Sequence, residues 1–357
     1  MSQNFIDEII FKNHPERAEE ILELPLIQYL KRKTASVGRN SKSRGSFANL
    51  YAIYVLVEDY INKGYLDGDK DYKDYEGADF TPLFNRQREL KFGAKLQNHA
   101  LNHRLNEEFA KFHNGLTPII RDTEKSKYWF NEELLIFDGI NLAKDVIEII
   151  DKYVELKSEI FELFFEKCIE LENTYEENPQ AAIDFIRDQL QPNIDARIFE
   201  IVAFCILKYV YIDKTVLFGF SEESLEEHNL VLYKTGRTNA NDGGIDYLLK
   251  PLGKIYQVTE DLNFKKYFLD IDKLNKFPIT FVIKTKLDEE EIRSRILQDA
   301  ERQFKDKEVL KRYLDCFEEI INIEKLYNYL NYVIENGHMK ELLEELVIQC
   351  KVEYNIE

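Results

Sequence analysis

The sequence predicts an α/β core set between helical segments. Three observations lead there. Apolar residues recur at three- and four-residue steps from Ile6 to about Pro192, short β-type runs follow between Thr215 and Lys284, and the helical period returns from Glu289 onward. With 357 residues the chain exceeds one ordinary domain, so it divides into a mainly helical region (1–192), a core of helix, mixed sheet and helix (193–290), and a helical C-terminal extension (291–357).

In the first region Val146, Ile149, Ile150, Tyr153, Val154 and Phe161 mark one helical face. Ser46 has the chemistry to cap a second helix carrying Phe47, Leu50, Tyr51, Tyr54 and Val55. Gly64 to Asp79 reads as a solvated loop. The period changes after Gln191-Pro192-Asn193: Asp195 caps a helix from about Ala196 to Tyr211, whose Ile201, Phe204, Cys205 and Tyr209 are expected to be buried. Thr215 to Phe220, Leu230 to Lys234, Ile245 to Lys250 and Lys254 to Thr259 read as strands. The last two are joined by Pro251-Leu252-Gly253 into a hairpin, and a short helix around Tyr267 to Asn275 leads to a strand from Ile279 to Lys284.

A formal charge of −18 argues against an unselective nucleic-acid binder, which needs local cations to neutralise phosphates. The charge is segregated, however: Lys31, Arg32, Lys33, Arg39, Lys42 and Arg44 occupy a stretch without acids, whereas Asp67 to Asp79 and the C-terminal segment are dense in carboxylates. The longest apolar runs are too short to span a bilayer, and the N-terminus lacks a basic-then-apolar signal pattern, so a cytoplasmic protein without membrane attachment is expected. Cys168, Cys205, Cys316 and Cys350 are widely spaced, with no CxxC pair, and are expected to be buried free thiols.

The chemistry concentrates in Thr235-Gly-Arg-Thr-Asn-Ala-Asn-Asp-Gly-Gly-Ile-Asp246 and Gln257-Val-Thr259-Glu260. Gly243 and Gly244 admit backbone conformations and close approaches that a β-carbon would block, immediately before the strand that presents Asp246. Phosphodiester hydrolysis uses hard oxygen ligands for magnesium, and Asp246 supplies one. On the second hairpin strand Gln257 and Thr259 share a face by two-residue alternation, with the Val258 carbonyl between them and Glu260 expected on the opposite face. Glu200, on the preceding helix, is a further candidate ligand.

Phe199-Glu200, Thr235-Gly-Arg-Thr, Asp242-Gly-Gly-Ile-Asp246 and Gln257-Val-Thr259 together resemble the Mrr-like branch of the PD-(D/E)xK nucleases, whose pattern is a helix with FE, a DGGID strand and a QxK strand. Within that superfamily the chain most resembles HaeII-type type II restriction endonucleases, on Thr235 to Glu260 and Gln97-Asn98-His99-Ala100-Leu101-Asn102-His103-Arg104. The superfamily pattern covers about a quarter of the chain. It implies a restriction-endonuclease-like core, Mg2+ held by Asp246, Gln257, Glu200 and the Val258 carbonyl, and site-specific cleavage of double-stranded DNA. A homodimer and a companion DNA methyltransferase acting on the same site are implied with it. The chain departs from the pattern at Thr259, which stands where the family has a lysine and cannot supply a cation. Lys284 ranks first as its replacement, ahead of Lys254 and Lys208.

Phosphate contacts and base reading call for basic and amide side chains. Arg39, Lys42 and Arg44 form one such group, and Arg86, Arg88, Lys95, Asn98, Asn102 and Arg104 a second, while Arg237, Asn239 and Asn241 lie just before the strand bearing Asp246. His99 and His103 share the i, i+4 spacing of a metal pair but lack HExxH and a third ligand nearby. The competing readings are an Mrr-like nuclease for modified DNA, a nucleic-acid-binding protein on an inactive nuclease fold, and a helical interaction protein.

Overall fold

The computed structural model describes residues 5–35, 46–67, 70–94, 96–113, 115–235, 245–260, 262–302 and 304–354. They form two compact units, Met1–Ile160 and Phe161–Glu357. The first contains α1 (Phe5–Asn13), α2 (Ala18–Leu22), α3 (Pro25–Thr34), α4 (Ser46–Asn62), β1 (Ala78–Asp79) and α5 (Phe80–Glu89). A π-helical turn (Ala100–Arg104) leads into α6 (Leu105–Ala110), followed by β2 (Ile119–Asp122), β3 (Lys127–Phe130), β4 (Ile136–Phe137), β5 (Ile140–Asn141) and the long α7 (Ala143–Thr174). The unit division falls inside α7. Helices dominate this unit, with Ile149, Ile150 and Tyr153 of α7 buried in one core with Leu50, Tyr51 and Leu56 of α4. The small antiparallel sheet β1-β3-β2 was not anticipated from the sequence pattern.

The second unit continues with α8 (Pro179–Asp188), α9 (Ala196–Tyr211), β6 (Thr215–Phe218), β7 (Glu226–Asn229), β8 (Val231–Lys234), β9 (Tyr247–Lys250) and β10 (Lys254–Thr259). Next come α10 (Phe264–Lys273), β11 (Ile279–Ile283), α11 (Glu289–Glu301), α12 (Lys307–Leu314), β12 (Phe317–Ile321), α13 (Ile323–Glu335) and α14 (Met339–Tyr354). α9 begins where Asp195 was expected to cap it: the carboxylate accepts from the Arg197 amide at 2.8 Å. Ile201, Phe204 and Cys205 are buried, and Tyr209 is half-buried. Thr215 to Phe218 does not join the main sheet but pairs with β7 in a separate two-stranded ribbon.

The main sheet has the order β12-β11-β10-β9-β8. β8, β9 and β10 form an antiparallel meander, and β11 and β12 lie parallel to β10. Gly253, at φ +69°, closes the β9–β10 hairpin in a backbone conformation that side-chain-bearing residues rarely adopt. β12 is a strand supplied by the region read as a helical extension, and α13 and α14 pack on α9.

Alternation along β10 separates two faces. Tyr256 turns toward α9, where its hydroxyl meets that of Tyr211 at 2.8 Å. Ile255 takes the other face, in one core with Phe264, Tyr267 and Phe268 of α10 and Phe281 of β11. Tyr267 and Phe281 meet edge-on at 4.8 Å, so α10 is held against the sheet by aromatic packing. Among the described residues no helix is long and apolar enough to cross a membrane, and all four cysteines are buried and free.

Candidate active site

The β9–β10 ladder ends at the pair Tyr247 and Tyr256, although β10 runs on to Thr259. At that end the Asp246 amide still donates to the Tyr256 carbonyl at 3.0 Å, and the Thr235 amide donates to the Asp246 carbonyl at 2.9 Å. The Asp246 side chain then takes over the ladder: its Oδ2 accepts from the Val258 amide at 2.6 Å. A carboxylate is thereby fixed where the two strands part. In an extended strand the N–H and C=O of one residue lie on the same edge, so the Val258 carbonyl faces this fork as well. Register would set residue 246 opposite Gln257, which is buried with Thr259 on the α10 face.

Thr259 has a cationic neighbour. The ammonium of Lys266, in the first turn of α10, donates to Thr259 Oγ1 at 2.8 Å. The replacement ranked first stands elsewhere: Lys284 ion-pairs with Glu260, donates to the Ile194 carbonyl at 2.5 Å, and lies 5.9 Å from the Phe199 ring centre, all on the α9 face. The reason is parity. Lys284 follows Ile283 of β11 and Glu260 follows Thr259 of β10, positions that pair in register and point away from Gln257 and Thr259. Glu260 is therefore on the face opposite Gln257, as alternation required. Lys254 is engaged by Glu319 at 2.7 Å and Lys208 by Glu345 at 2.6 Å.

Glu200 is buried on the α9 face, where its Oε1 is 3.8 Å from Lys234 Nζ and its carbonyl accepts from the Tyr247 hydroxyl at 2.6 Å. The structure thus gathers Asp246 and Val258 at the fork, Gln257, Thr259 and Lys266 on one sheet face, and Glu200, Glu260, Lys234 and Lys284 on the other. Lys266 and Lys234 were missed by sequence reasoning. For Lys266 the signal was present: Asn263, whose side chain accepts from the Lys265 amide at 3.0 Å, caps a run with Phe264, Tyr267, Phe268 and Ile271 at helical spacing.

Among the described residues no three His, Cys, Asp or Glu side chains stand together as a metal-binding group. The fork itself offers one carboxylate and one main-chain carbonyl as hard oxygen donors, with the Gln257 amide on the neighbouring residue of β10. This donor set fits magnesium in kind, with a single negative charge.

Of the residues expected to contact DNA, Arg39, Lys42, Arg44, Lys95, Arg237, Asn239 and Asn241 lie outside the described residues, as do Asp242, Gly243 and Gly244. Arg86 makes a two-pronged contact with Glu58, both bonds 2.8 Å. Arg88 donates to the Ala94 carbonyl at 2.9 Å and Arg104 to Glu108 at 3.2 Å. Asn102 accepts from the Tyr128 hydroxyl at 3.1 Å, and the Asn98 carbonyl accepts from the Asn102 amide. His99 and His103 meet ring edge to ring at 5.8 Å.

Behind the sheet, Glu319 accepts from Lys254 at 2.7 Å, and its other oxygen is 2.6 Å from Lys325 and 3.1 Å from the Tyr329 hydroxyl. Burial pushes the Glu319 carboxyl up, but the two ammonium groups outweigh it and hold its pKa below the ordinary 4.5. Burial likewise disfavours the charge on Lys254, and contact with Glu319 reverses this, leaving its pKa raised. A carboxyl depressed in the folded state contributes stability above its unfolded pKa and loses it as pH falls through the folded value. Glu319→Gln is expected to cost roughly 1–3 kcal/mol at neutral pH and to flatten the acid limb of stability below 4.5, read by urea unfolding between neutral and acid pH.

No protein-family model, curated protein or solved structure matches this chain.

Proposed function

We propose that the chain is a magnesium-dependent endonuclease acting on sequence-specific sites in double-stranded DNA, built on a PD-(D/E)xK-type core and working as a type II restriction enzyme. The observation that carries this reading is the Asp246 carboxylate fixed at the fork of β9 and β10 beside Val258, with Gln257 and Thr259 on the adjoining strand. The order α9, β8, β9, β10, α10, β11, interrupted after α9 by the β6–β7 ribbon, with three antiparallel strands and a fourth parallel to the third, supports it. Both features follow the motif order that the sequence resemblance uses.

Asp246, the Val258 carbonyl and the Gln257 amide oxygen are the groups that would hold the cation. When bound, it offsets charge on the phosphoryl oxygens and acidifies a water. In the hydrolysis, the water oxygen bonds to phosphorus, the bond from phosphorus to the 3′ oxygen breaks, and a proton passes to that oxygen. The products are a 5′-phosphate and a 3′-hydroxyl. Palindromic sites would match a homodimer, and protection of host DNA would require a partner methyltransferase.

A cavity of about 630 Å³ opens beside the start of α10, lined in part by Asn263, Lys265, Arg295, Gln298 and Arg302. Arg295 pairs with Glu291 and Arg302 with Asp299, both at 3.1 Å and well exposed to solvent. Such exposed pairs exchange readily for a phosphate partner. Replacing both arginines by alanine is expected to weaken DNA binding in Ca2+ and to reduce the slope of log affinity against log salt by about 2, measured by fluorescence anisotropy across a salt series.

The decisive experiment is digestion of supercoiled plasmid, methylated and unmethylated, with Mg2+ and with EDTA, followed by sequencing of the ends. Discrete ends in the Mg2+ lane alone support the proposal. Cutting confined to methylated plasmid would shift it to a nuclease for modified DNA. The single carboxylate at the fork favours a second reading, a DNA-binding protein on an inactive fold; intact plasmid together with retained binding would establish that one.

A further inference from the structure

We propose that Lys266 supplies, from helix α10, the cation that Thr259 cannot, placing an ammonium group at the point in space that a lysine rooted at position 259 would reach. The inference rests on the nuclease reading and names a catalytic group for it.

Thr259 is 1 % exposed and carries no charge, yet its hydroxyl accepts directly from the Lys266 ammonium at 2.8 Å. The ammonium therefore stands one hydrogen bond beyond the Thr259 side chain, on the sheet face that also carries Gln257. A long side chain reaching out from residue 259 would end in the same neighbourhood. The three lysines suggested by sequence stand differently: Lys284 holds Glu260 on the α9 face, Lys254 holds Glu319, and Lys208 holds Glu345.

The start of α10, which carries Lys266, is anchored. Its neighbours Phe264, Tyr267 and Phe268 are buried in the core under β10 and β11, and Asn263 caps the helix. The first turn of a helix is also an unfavourable place for a cation, because the exposed amides there carry partial positive charge. α10 nevertheless has Lys265 and Lys266 in its first turn and no acid. A phosphate drawn to the strand end would meet this cation directly. An ammonium there donates to a non-bridging phosphate oxygen and orients the attacking water, and it carries its charge without proton transfer.

The test uses the full-length protein with Mg2+ and plasmid DNA, comparing wild type, Lys266→Met and the double variant Thr259→Lys/Lys266→Met. In the double variant the new lysine grows into the space that the shortened charge vacates. Lys266→Met is expected to lower kcat by about 10²-fold while KM and DNA affinity in Ca2+ change less than about threefold. The double variant is expected to recover at least about tenfold of that loss. Circular dichroism and thermal melting confirm folding, and Lys266→Gln, which also removes the charge, replaces Lys266→Met should the latter not fold, with loss of kcat alone again supporting the assignment.

Wild-type cleavage with an unchanged kcat in the Lys266 variant overturns the assignment and leaves the nuclease reading standing. So does a loss that the Thr259→Lys change does not repair, or one that accompanies equal loss of DNA affinity. Absence of cleavage by wild-type protein under every Mg2+ condition removes the nuclease reading, and this assignment with it.

Discussion

Asp246→Asn is expected to lower Mg2+-dependent plasmid cleavage by roughly 10³-fold, since a cation at a phosphoryl centre contributes several kcal/mol and each 1.36 kcal/mol is a factor of ten. The substitution is nearly isosteric. Its amide oxygen can still accept from the Val258 amide, the contact that carboxylate Oδ2 makes at 2.6 Å. The fork should therefore keep its shape, and folding should be close to wild type by thermal melting. What is lost is the one negative charge in the donor set of Asp246, Gln257 and the Val258 carbonyl. A single-turnover rate on a cut-site duplex, measured across a Mg2+ titration, separates the two contributions: weakened cation binding shifts the midpoint, and a lost transition-state interaction lowers the plateau. Unchanged cleavage by the asparagine variant would remove Asp246 from the chemistry.

Lys284→Met is expected to destabilise the protein by about 3–5 kcal/mol, the usual cost of removing one partner from a buried ion pair. The Lys284 side chain is 2 % exposed and that of its partner Glu260 10 %, and the Ile194 carbonyl at 2.5 Å takes a further hydrogen of the ammonium. Loss of the lysine leaves a buried carboxylate without its counter-ion. Removing that carboxylate too, in Lys284→Met/Glu260→Leu, is expected to return most of the lost stability, because the desolvation penalty disappears with the charge. Urea unfolding of the two variants reads both numbers. A role for Lys284 in cleavage predicts the reverse signature: normal unfolding with a lowered kcat.

The sequence made the sheet legible where its period was strict. Lys254 to Thr259 and Ile279 to Ile283 alternate or run apolar between clear punctuation, and both are strands. β12 was hidden because Phe317 to Ile321 contains Glu318 and Glu319, and its flanks are helices whose period masks five residues. β7, with the sequence Glu-Glu-His-Asn, has no strand pattern at all; it is set by pairing with β6. The site divides in the same way. Asp246 beside Val258 follows from local hairpin geometry and could be anticipated. Lys266 could not be ranked while the helix was started at Tyr267, because that start left Lys266 in a loop with no defined direction. Moving the start to Phe264, where Asn263 caps it, turns the side chain toward Thr259. Lys284 was misplaced by a single step of parity, which register with β10 settles and sequence spacing does not.

The last segment of the chain has a part in the sheet out of proportion to its distance along the sequence. β12 covers the open side of β11, and α13 and α14 cover α9. A ribosome therefore releases α9, whose sides are almost wholly apolar, well before the two helices that cover it, although β8, which also packs on it, follows sooner. During synthesis the growing polypeptide carries this greasy rod partly uncovered, an invitation to chaperones and to aggregation. Full cover of α9 waits for α13 and α14, and removing those two helices should yield insoluble material rather than a smaller working protein.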